Sequence, residues 1–241
     1  MTIVELLLAS VVVLLGAAVQ GAVGFGLGIL AAPLLFLINP VLLPAPLLSA
    51  AVVLTLLTAR REHHSIDVRG VAWAVIGRIP GALLGAATLS VLPKKSMTLM
   101  VGAIVFISVA MIGWGPKIRR TRISLLGAGT ISGFMGTTAS MGGPPMVVVY
   151  RDDSGPRIRG TLAGFFVVGL LISLTALAFV GRFGRQEILA ALTLVPGIVI
   201  GFAISNRIAP VLDRGYTRTA LLVVSGLAGL SVVLRALLSA Q

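Results

Sequence analysis

One run of residues without charged side chains constrains this chain more than any other feature. From Leu6 to Ala59 there is no Asp, Glu, Lys, Arg or His, over 54 residues. One bilayer crossing needs about 20 apolar residues, so this run alone accommodates at least two crossings. Charged residues make up only 11% of the chain, whereas a soluble domain carries about 25%. The sequence therefore predicts an integral membrane protein.

Further apolar runs follow, separated by short loops of charged and turn-forming residues. They are Gly70–Pro93, Ser96–Pro116, Ile123–Tyr150, Gly160–Gly181, Ile188–Asn206 and Thr219–Leu234. Their lengths are those of helices that cross a bilayer, and no polar linker divides them into domains. We expect a single all-α membrane domain over residues 1–241.

The chain is also an internal duplication, with repeat 1 over about 3–115 and repeat 2 over about 122–238. Two blocks of Gly and Pro recur in the same order. Gly21, Gly24 and Pro33 recur 112 residues later as Gly133, Gly136 and Pro145, and Pro80, Gly81 and Gly85 recur 116 residues later as Pro196, Gly197 and Gly201. Duplicated halves are typical of secondary transporters.

The distribution of Lys and Arg predicts how each half crosses the membrane. If the Gly-rich element of each half crosses once, alternate loops carry 10 and 8 basic residues. If each element enters and returns, one side carries 13 basic residues and the other 5. The positive-inside rule favours the second arrangement. We therefore expect two inverted repeats, each with a Gly-rich broken or re-entrant helical element plus three transmembrane helices, and both termini outside.

The two Gly-rich elements are the candidate ligand site. Gly142-Gly143-Pro144-Pro145 cannot continue a regular helix, because proline lacks an N–H and restricts the preceding residue. Irregular backbone is tolerated at membrane depth only where it is buried in protein or lines a cavity. The helix N-termini that such breaks create favour anions. The other recurring glycines are interpreted instead as points of close helix packing: Gly21, Gly81, Gly85, Gly197 and Gly201.

Arg78 is a cation near the middle of a span. A charge at the bilayer centre costs about 2.5–3.5 kcal/mol on insertion scales. Two interpretations are open: Arg78 attracts an anionic ligand through its guanidinium fork, or it bonds to carbonyls freed by a neighbouring broken helix. Its counterpart in repeat 2 is Leu194, so the duplication does not require a cation there.

The remaining ionisable residues argue against several classes of protein. All seven acidic residues lie at chain ends or in loops, cysteine is absent, and both histidines follow Arg60 and Arg61. We therefore expect no catalytic residues, no metal site, no cofactor and no intramembrane carboxylate for proton relay. The net charge of +12 is attributed to loops that contact membrane lipid. Nucleic acid is not an expected partner, because no aromatic residues interleave the basic clusters.

The segment SGFMGTTASMGGPPMVVVY, with its weaker copy QGAVGFGLGILAAPLLFL, resembles the paired signature of the sulfite exporter TauE/SafE family. This family is also called the toluene-sulfonate uptake permease superfamily. Length, duplication and the later Pro-Gly spans extend the resemblance over nearly the whole chain. It implies a transporter of small sulfur-containing anions such as sulfite, sulfoacetate or other organosulfonates. The sequence Gly28-Ile29-Leu30 departs from the consecutive glycines of many relatives, which predicts a more helical first element.

Together these observations predict a secondary transporter, and an exporter, that works by alternating access in a bacterial inner membrane. The alternatives are a passive anion channel or an uptake permease for another small organic anion. A homo-oligomer is left open. The residues expected to bind substrate are Gln20, Gly24, Gly26, Arg78, Gly136, Thr137, Thr138, Ser140, Gly142, Gly143 and Pro144.

Overall fold

The computed structural model describes residues 2–213, and within that range it contains helices and no strand. The predicted span Thr219–Leu234 and the end of repeat 2 lie outside the described residues. The α-helices are α1 (Ile3–Val23), α2 (Leu27–Ile38), α3 (Ala45–Arg61), α4 (Val68–Val91), α5 (Lys94–Trp114), α6 (Arg122–Ala139), α7 (Gly143–Tyr150), α8 (Gly155–Phe179) and α9 (Arg185–Val211).

Four of these helices are long and apolar enough to cross a membrane: α1, α4, α8 and α9. The membrane prediction is confirmed at this level. N-cap side chains cap the starts of α1, α4 and α6. Thr2 accepts a hydrogen bond from the backbone N–H of Glu5, whose carboxylate accepts one from the Thr2 N–H. This reciprocal pair satisfies donors that the first turn of a helix leaves open.

The first Gly-rich element folds as a hairpin of α1 and α2. Its turn, here called the first break, is Gly24–Gly26, and both glycines have positive φ, +103° and +135°. Left-handed backbone of this kind is readily adopted by glycine. The Asn39 amide, just after α2, lies 3.5 Å from the Glu5 carboxylate near the start of α1, so the chain returns to the end it entered from.

The second Gly-rich element forms a hairpin of α6 and α7 around Ser140–Gly142, here called the second break. Ser140 ends α6 with φ +60°, and the Ser132 hydroxyl donates to the Gly142 carbonyl across the hairpin. In both hairpins the first arm is the longer, with 21 and 18 residues against 12 and 8. The predicted breaks are present.

The two hairpins enter the bundle from opposite ends. A Cβ at Gly24, at the tip of the first hairpin, would lie 3.0 Å from the Arg159 Cα in the first turns of α8. At the same end of the bundle, the Tyr150 hydroxyl at the open end of the second hairpin donates to Asp67 at 3.0 Å. The tip of one hairpin therefore lies beside the open end of the other. Between them, α3 and α8 pack against each other.

The later helices pack across the halves of the chain. Helix α4 runs along α6, and α9 runs along α1. These contacts depend on glycine, since a Cβ at Gly81 would overlap the Thr130 carbonyl oxygen and a Cβ at Gly201 would overlap that of Leu14. The close-packing prediction is confirmed for all five glycines to which it was applied: Gly21, Gly81, Gly85, Gly197 and Gly201.

The spacing of the breaks corrects one detail of the duplication. Helices α1 and α6 end at Val23 and Ala139, and α2 and α7 begin at Leu27 and Gly143. Both pairs are 116 positions apart, like the Pro-Gly block, and not 112 as the match of Gly24 with Gly136 predicts. The structural counterpart of Gly24 is Ser140, one turn further on. At Gly24 and Ser140 the breaks share left-handed backbone without sharing glycine, whereas Gly26 and Gly142 are both glycine but differ in φ, +135° against −78°.

Candidate functional site

The two breaks meet around a cavity inside the bundle. A Cβ at Gly28 would overlap the Ser140 carbonyl oxygen, so the two turns are in direct contact. The cavity has a volume of about 40 Å³; on a scale where about 10–15 Å³ admits one water, this is room for a small anion. Its walls also include one face each of α3, α4 and α8.

The cavity lining divides into a polar part and an apolar part. The side chains with polar atoms are Gln20, Thr55, Arg78 and Ser140. Glycine backbone comes from both breaks and the helix ends beside them: Gly26, Gly28, Gly136, Gly142 and Gly143. The apolar side chains are Phe25, Leu27, Ile29, Leu47, Leu48, Ala51, Met141, Phe166 and Leu170.

Arg78 is the buried cation of this cavity, with 1% of its surface exposed. Its Nε donates to the Gly169 carbonyl at 2.9 Å, and its two terminal nitrogens donate to the hydroxyls of Ser132 at 3.0 Å and Ser173 at 3.2 Å. The guanidinium carbon also lies 5.0 Å from the ring centre of Phe165. These contacts hold the guanidinium in one orientation.

The hydrogen bonds of Arg78 leave part of its capacity unused. A guanidinium carries five N–H groups, and three have acceptors among the described residues. No carboxylate within residues 2–213 pairs with Arg78. The side chain therefore brings an uncompensated positive charge and spare donors to the cavity wall. Such a charge is costly to bury, which makes it a candidate anion contact.

Two residues of α8 make room for Arg78, and the sequence analysis missed both. A Cβ at Gly169 would lie 2.5 Å from the Arg78 Cδ, so only glycine leaves space for this side chain. Ser173, one turn later, accepts from Arg78 and also from the Thr137 hydroxyl at 2.9 Å. Their spacing of four residues places both on one helix face. This face of small and polar residues is the sequence feature that could have indicated a packing site for Arg78.

The first break contributes less polar chemistry. The Gln20 side-chain oxygen accepts from the backbone N–H of Leu27 at 3.1 Å, which satisfies the first donor of α2. Its amide nitrogen has no acceptor among the described side chains and backbone. Thr55, also missed by the sequence analysis, donates to the Val52 carbonyl within α3 at 3.0 Å. No charged residue lies in this part of the lining.

The structure brings together seven of the eleven residues proposed from sequence. Those that line the cavity are Gln20, Gly26, Arg78, Gly136, Ser140, Gly142 and Gly143. The other four do not line it: Gly24, Thr137, Thr138 and Pro144. Thr137 is linked to Arg78 only through Ser173, and Thr138 donates to the Phe134 carbonyl of its own helix at 2.7 Å. For all eleven residues, a role in substrate binding stays a prediction.

Helix dipoles add little net charge at the cavity. Each break joins the C-terminus of one helix to the N-terminus of the next, α1 to α2 and α6 to α7. A helix carries roughly +0.5 charge at its N-terminus and −0.5 at its C-terminus. The two contributions therefore oppose each other at each break. That helix N-termini at the breaks favour an anion stays a prediction, and Arg78 brings a full positive charge to the same lining.

A partly buried ionic cluster lies at the end of the bundle beside the first break. Arg159, with 3% of its surface exposed, donates to Glu62 at 2.8 Å and to both carboxylate oxygens of Asp213 at 2.8 Å. Arg61 pairs with Glu62 at 3.0 Å and donates to the Gly21 carbonyl. The cluster thus ties the tip of the first hairpin to the ends of α3, α8 and α9.

Comparison with known proteins agrees with this architecture. A family model described as sulfite exporter TauE/SafE matches residues 8–232. A curated protein of Cupriavidus necator, named "Probable sulfite/organosulfonate exporter TauE", is 28% identical over 218 residues, which cover 83% of this chain and 82% of that protein. No solved structure matches the chain. Family match, hairpin breaks and membrane-length helices all agree: the chain belongs to the sulfite exporter TauE/SafE family, whose name is that of a membrane transporter and not of an enzyme.

Proposed function

We propose that this protein is a secondary transporter that exports small sulfur-containing anions, sulfite or organosulfonates. The family match and the name of the Cupriavidus relative support the substrate class. The observation that carries the proposal is the cavity between the two breaks, with Arg78 in its wall and no carboxylate among the lining residues that the structure describes. Such a site attracts anions and offers no partner to cations.

The lining suits a sulfonate group with a small carbon part. An arginine fork presents parallel N–H donors to two oxygens of an oxyanion, and Arg78 has donors to spare. Backbone N–H groups at Gly142 and Gly143 and the Gln20 amide lie in the same lining. The apolar side chains of the lining, among them Leu47 and Leu48, suit the carbon part of an organosulfonate.

Alternating access between two inverted repeats is the mechanism we propose. Hairpins that enter from opposite ends are typical of such repeats, with the site where their breaks meet. Opening one end requires the ionic cluster of Arg159, Glu62 and Asp213 to separate. The other end is closed near the Ser140 hydroxyl, which donates to the Pro44 carbonyl at 3.3 Å. Export of an anion from a negative interior is favourable by about 2.3 kcal/mol per charge per 100 mV, so uniport suffices.

The proposed setting is a bacterial inner membrane, crossed several times. Apolar side chains are exposed along the spanning helices, among them Leu7, Leu83, Leu171 and Phe179. Such side chains contact lipid tails. A homo-oligomer stays a prediction.

Counterflow in proteoliposomes tests the proposed function. Labelled sulfite is added outside vesicles that hold the purified protein and either unlabelled sulfite or buffer. We expect saturable uptake of labelled sulfite. Uptake should be faster when unlabelled sulfite is inside, because the carrier then returns to the outer face with unlabelled sulfite bound. The control variant is Arg119→Leu, at an exposed loop position, which should behave as wild type. Flux without saturation or counterflow would indicate a channel, and flux no greater than in empty vesicles would exclude sulfite.

A further inference from the structure

We propose that the cavity accepts its substrate as a monoanion: hydrogensulfite, and not the sulfite dianion, or a sulfonate that carries a single charge. This inference rests on the proposed function and names the charge state that the same site selects. It follows from the charges at the cavity, from their burial and from the opposition of the helix dipoles.

Within residues 2–213, Arg78 supplies the only full charge in the cavity wall. Among the lining residues no other side chain is ionisable, and 1% of the Arg78 surface is exposed. The guanidinium stays protonated over the pH range in which membrane transport is measured. A bound monoanion therefore gives a neutral pair, whereas a dianion leaves one net negative charge enclosed.

The elements that pack against Arg78 offer no second charge at its level. Their ionisable side chains lie toward the helix ends. These side chains are Arg60 and Arg61 on α3, Arg69 on α4, Arg122 on α6, Tyr150 on α7, and Arg157 and Arg159 on α8. Arg61 and Arg159 are engaged by Glu62 and Asp213 in the ionic cluster. Neither arginine lines the cavity.

The backbone does not supply the missing positive charge. The N-termini of α2 and α7 face the cavity at Leu27 and Gly143, but the C-termini of α1 and α6 end at the same breaks. Their partial charges oppose each other. The Leu27 N–H is moreover occupied by Gln20, which removes one donor that an anion would use.

The energetic consequence is steep, because the cost of transferring an ion from water to a low-dielectric site rises with the square of its charge. Nine of the 18 lining residues carry an apolar side chain, which keeps the local dielectric low. One guanidinium, with three of its five donors already engaged, cannot compensate a dianion. The cavity therefore selects among anions by their charge more strongly than by their shape.

Transport at different pH values tests the inference, since hydrogensulfite ionises near neutral pH and 2-hydroxyethanesulfonate carries one charge throughout. Both are measured in the same proteoliposomes, with the flux of empty vesicles subtracted. At a fixed total sulfite concentration well below half-saturation, the transport rate should fall about tenfold for each pH unit above the pKa of hydrogensulfite, in proportion to the monoanion fraction. The 2-hydroxyethanesulfonate rate should stay constant and so controls for effects of pH on the protein.

A competition experiment at fixed pH gives a second readout. Sulfoacetate is close in size to 2-hydroxyethanesulfonate but carries two charges at neutral pH. We expect 2-hydroxyethanesulfonate to inhibit its own labelled transport at least tenfold more strongly than sulfoacetate does. Equal competition, or a sulfite rate that holds or rises with pH, would overturn the monoanion inference while leaving the transporter intact. If wild type transports neither anion, the proposed function fails and the inference with it.

Discussion

The first and second breaks have the same backbone plan and different chemistry. Both end a long helix in left-handed backbone, at Gly24 with φ +103° and at Ser140 with φ +60°, and both begin a shorter helix three or four residues later. Around the second break lie Arg78, Ser132 and Ser173, joined by hydrogen bonds. Near the first break, the position that corresponds to Arg78 is occupied by Leu194, which is buried.

This difference indicates that the duplication supplies the scaffold and one half supplies the ligand chemistry. Two-fold architecture requires matching backbone, helix packing and small residues, all of which recur. It does not require matching side chains at the centre, where a second cation would repel the first. The breaks differ also in how their tips are tied to the helices around them, since an ionic cluster ties the first, whereas the Ser140 hydroxyl of the second donates to the Pro44 carbonyl at 3.3 Å.

Replacing Arg78 should have the largest effect, because it removes the charge that distinguishes the second break. We expect Arg78→Leu to lower sulfite transport about 10- to 100-fold, since this corresponds to the loss of one charge-assisted contact of about 1.5–3 kcal/mol. Arg78→Lys should retain more transport because it keeps the charge without the fork. Rates are measured per amount of folded protein in vesicles. Unimpaired transport in both variants would remove Arg78 from the site.

Removing the ionic cluster tests the difference between the tips. Arg159→Gln should lower the free energy of unfolding by about 3 kcal/mol, at the low end for buried pairs because the carboxylates keep some contact with water. Arg157→Gln is the matched control, since Arg157 is 45% exposed and exposed pairs contribute about 1 kcal/mol or less. Ser140→Gly at the other tip should also cost under about 1 kcal/mol. Unfolding in detergent measures the free energy of unfolding of all three variants. Equal losses in Arg159→Gln and Ser140→Gly would contradict the difference between the two tips.

Filling the contact between the breaks should have an intermediate effect. A Cβ at Gly28 would overlap the Ser140 carbonyl oxygen, so Gly28→Ala should destabilise the protein by about 2 kcal/mol through overpacking. Gly127→Ala is the control, because nothing lies within 4 Å of a Cβ there, and alanine favours the helix by about 0.5–1 kcal/mol. The midpoint of thermal unfolding should fall in the first variant and not in the second. A Gly28→Ala protein as stable as wild type would mean that the breaks can separate freely.

The smallest effect is expected from the hydroxyls of adjacent threonines. Thr137→Val removes a donor to Ser173, which positions Arg78, and should raise the sulfite concentration at half-maximal rate about fivefold, or about 1 kcal/mol. Thr138→Val removes only a bond within α6, so we expect less than a twofold change. Concentration dependence of transport distinguishes the two. Equal effects would show that Thr137 does not act through Ser173 and Arg78.

Local chemistry made much of the fold and part of the site predictable. The run from Leu6 to Ala59 excludes a soluble fold, and the Gly-Gly-Pro-Pro motif excludes a continuous helix at the second break. Arg78 was found because a cation in a span is conspicuous. Gly169 and Ser173 were not found, since small residues are common in membrane helices and only contact with Arg78 distinguishes these two from the rest.

The sequence alone determined that the chain is a helical membrane protein with two interrupted elements, because hydropathy, charge and the conformational limits of Gly and Pro act over a few neighbouring residues. Only the tertiary structure decided which glycine carbonyl and serines hold the guanidinium, which four proposed residues fall outside the cavity, and that the breaks match at 116 positions. The position of the guanidinium depends on contacts between residues far apart in sequence, such as Thr137 with Ser173, 36 positions apart, and Arg78 with Gly169, 91 positions apart. Helix register and packing fix such contacts, and no local pattern encodes them.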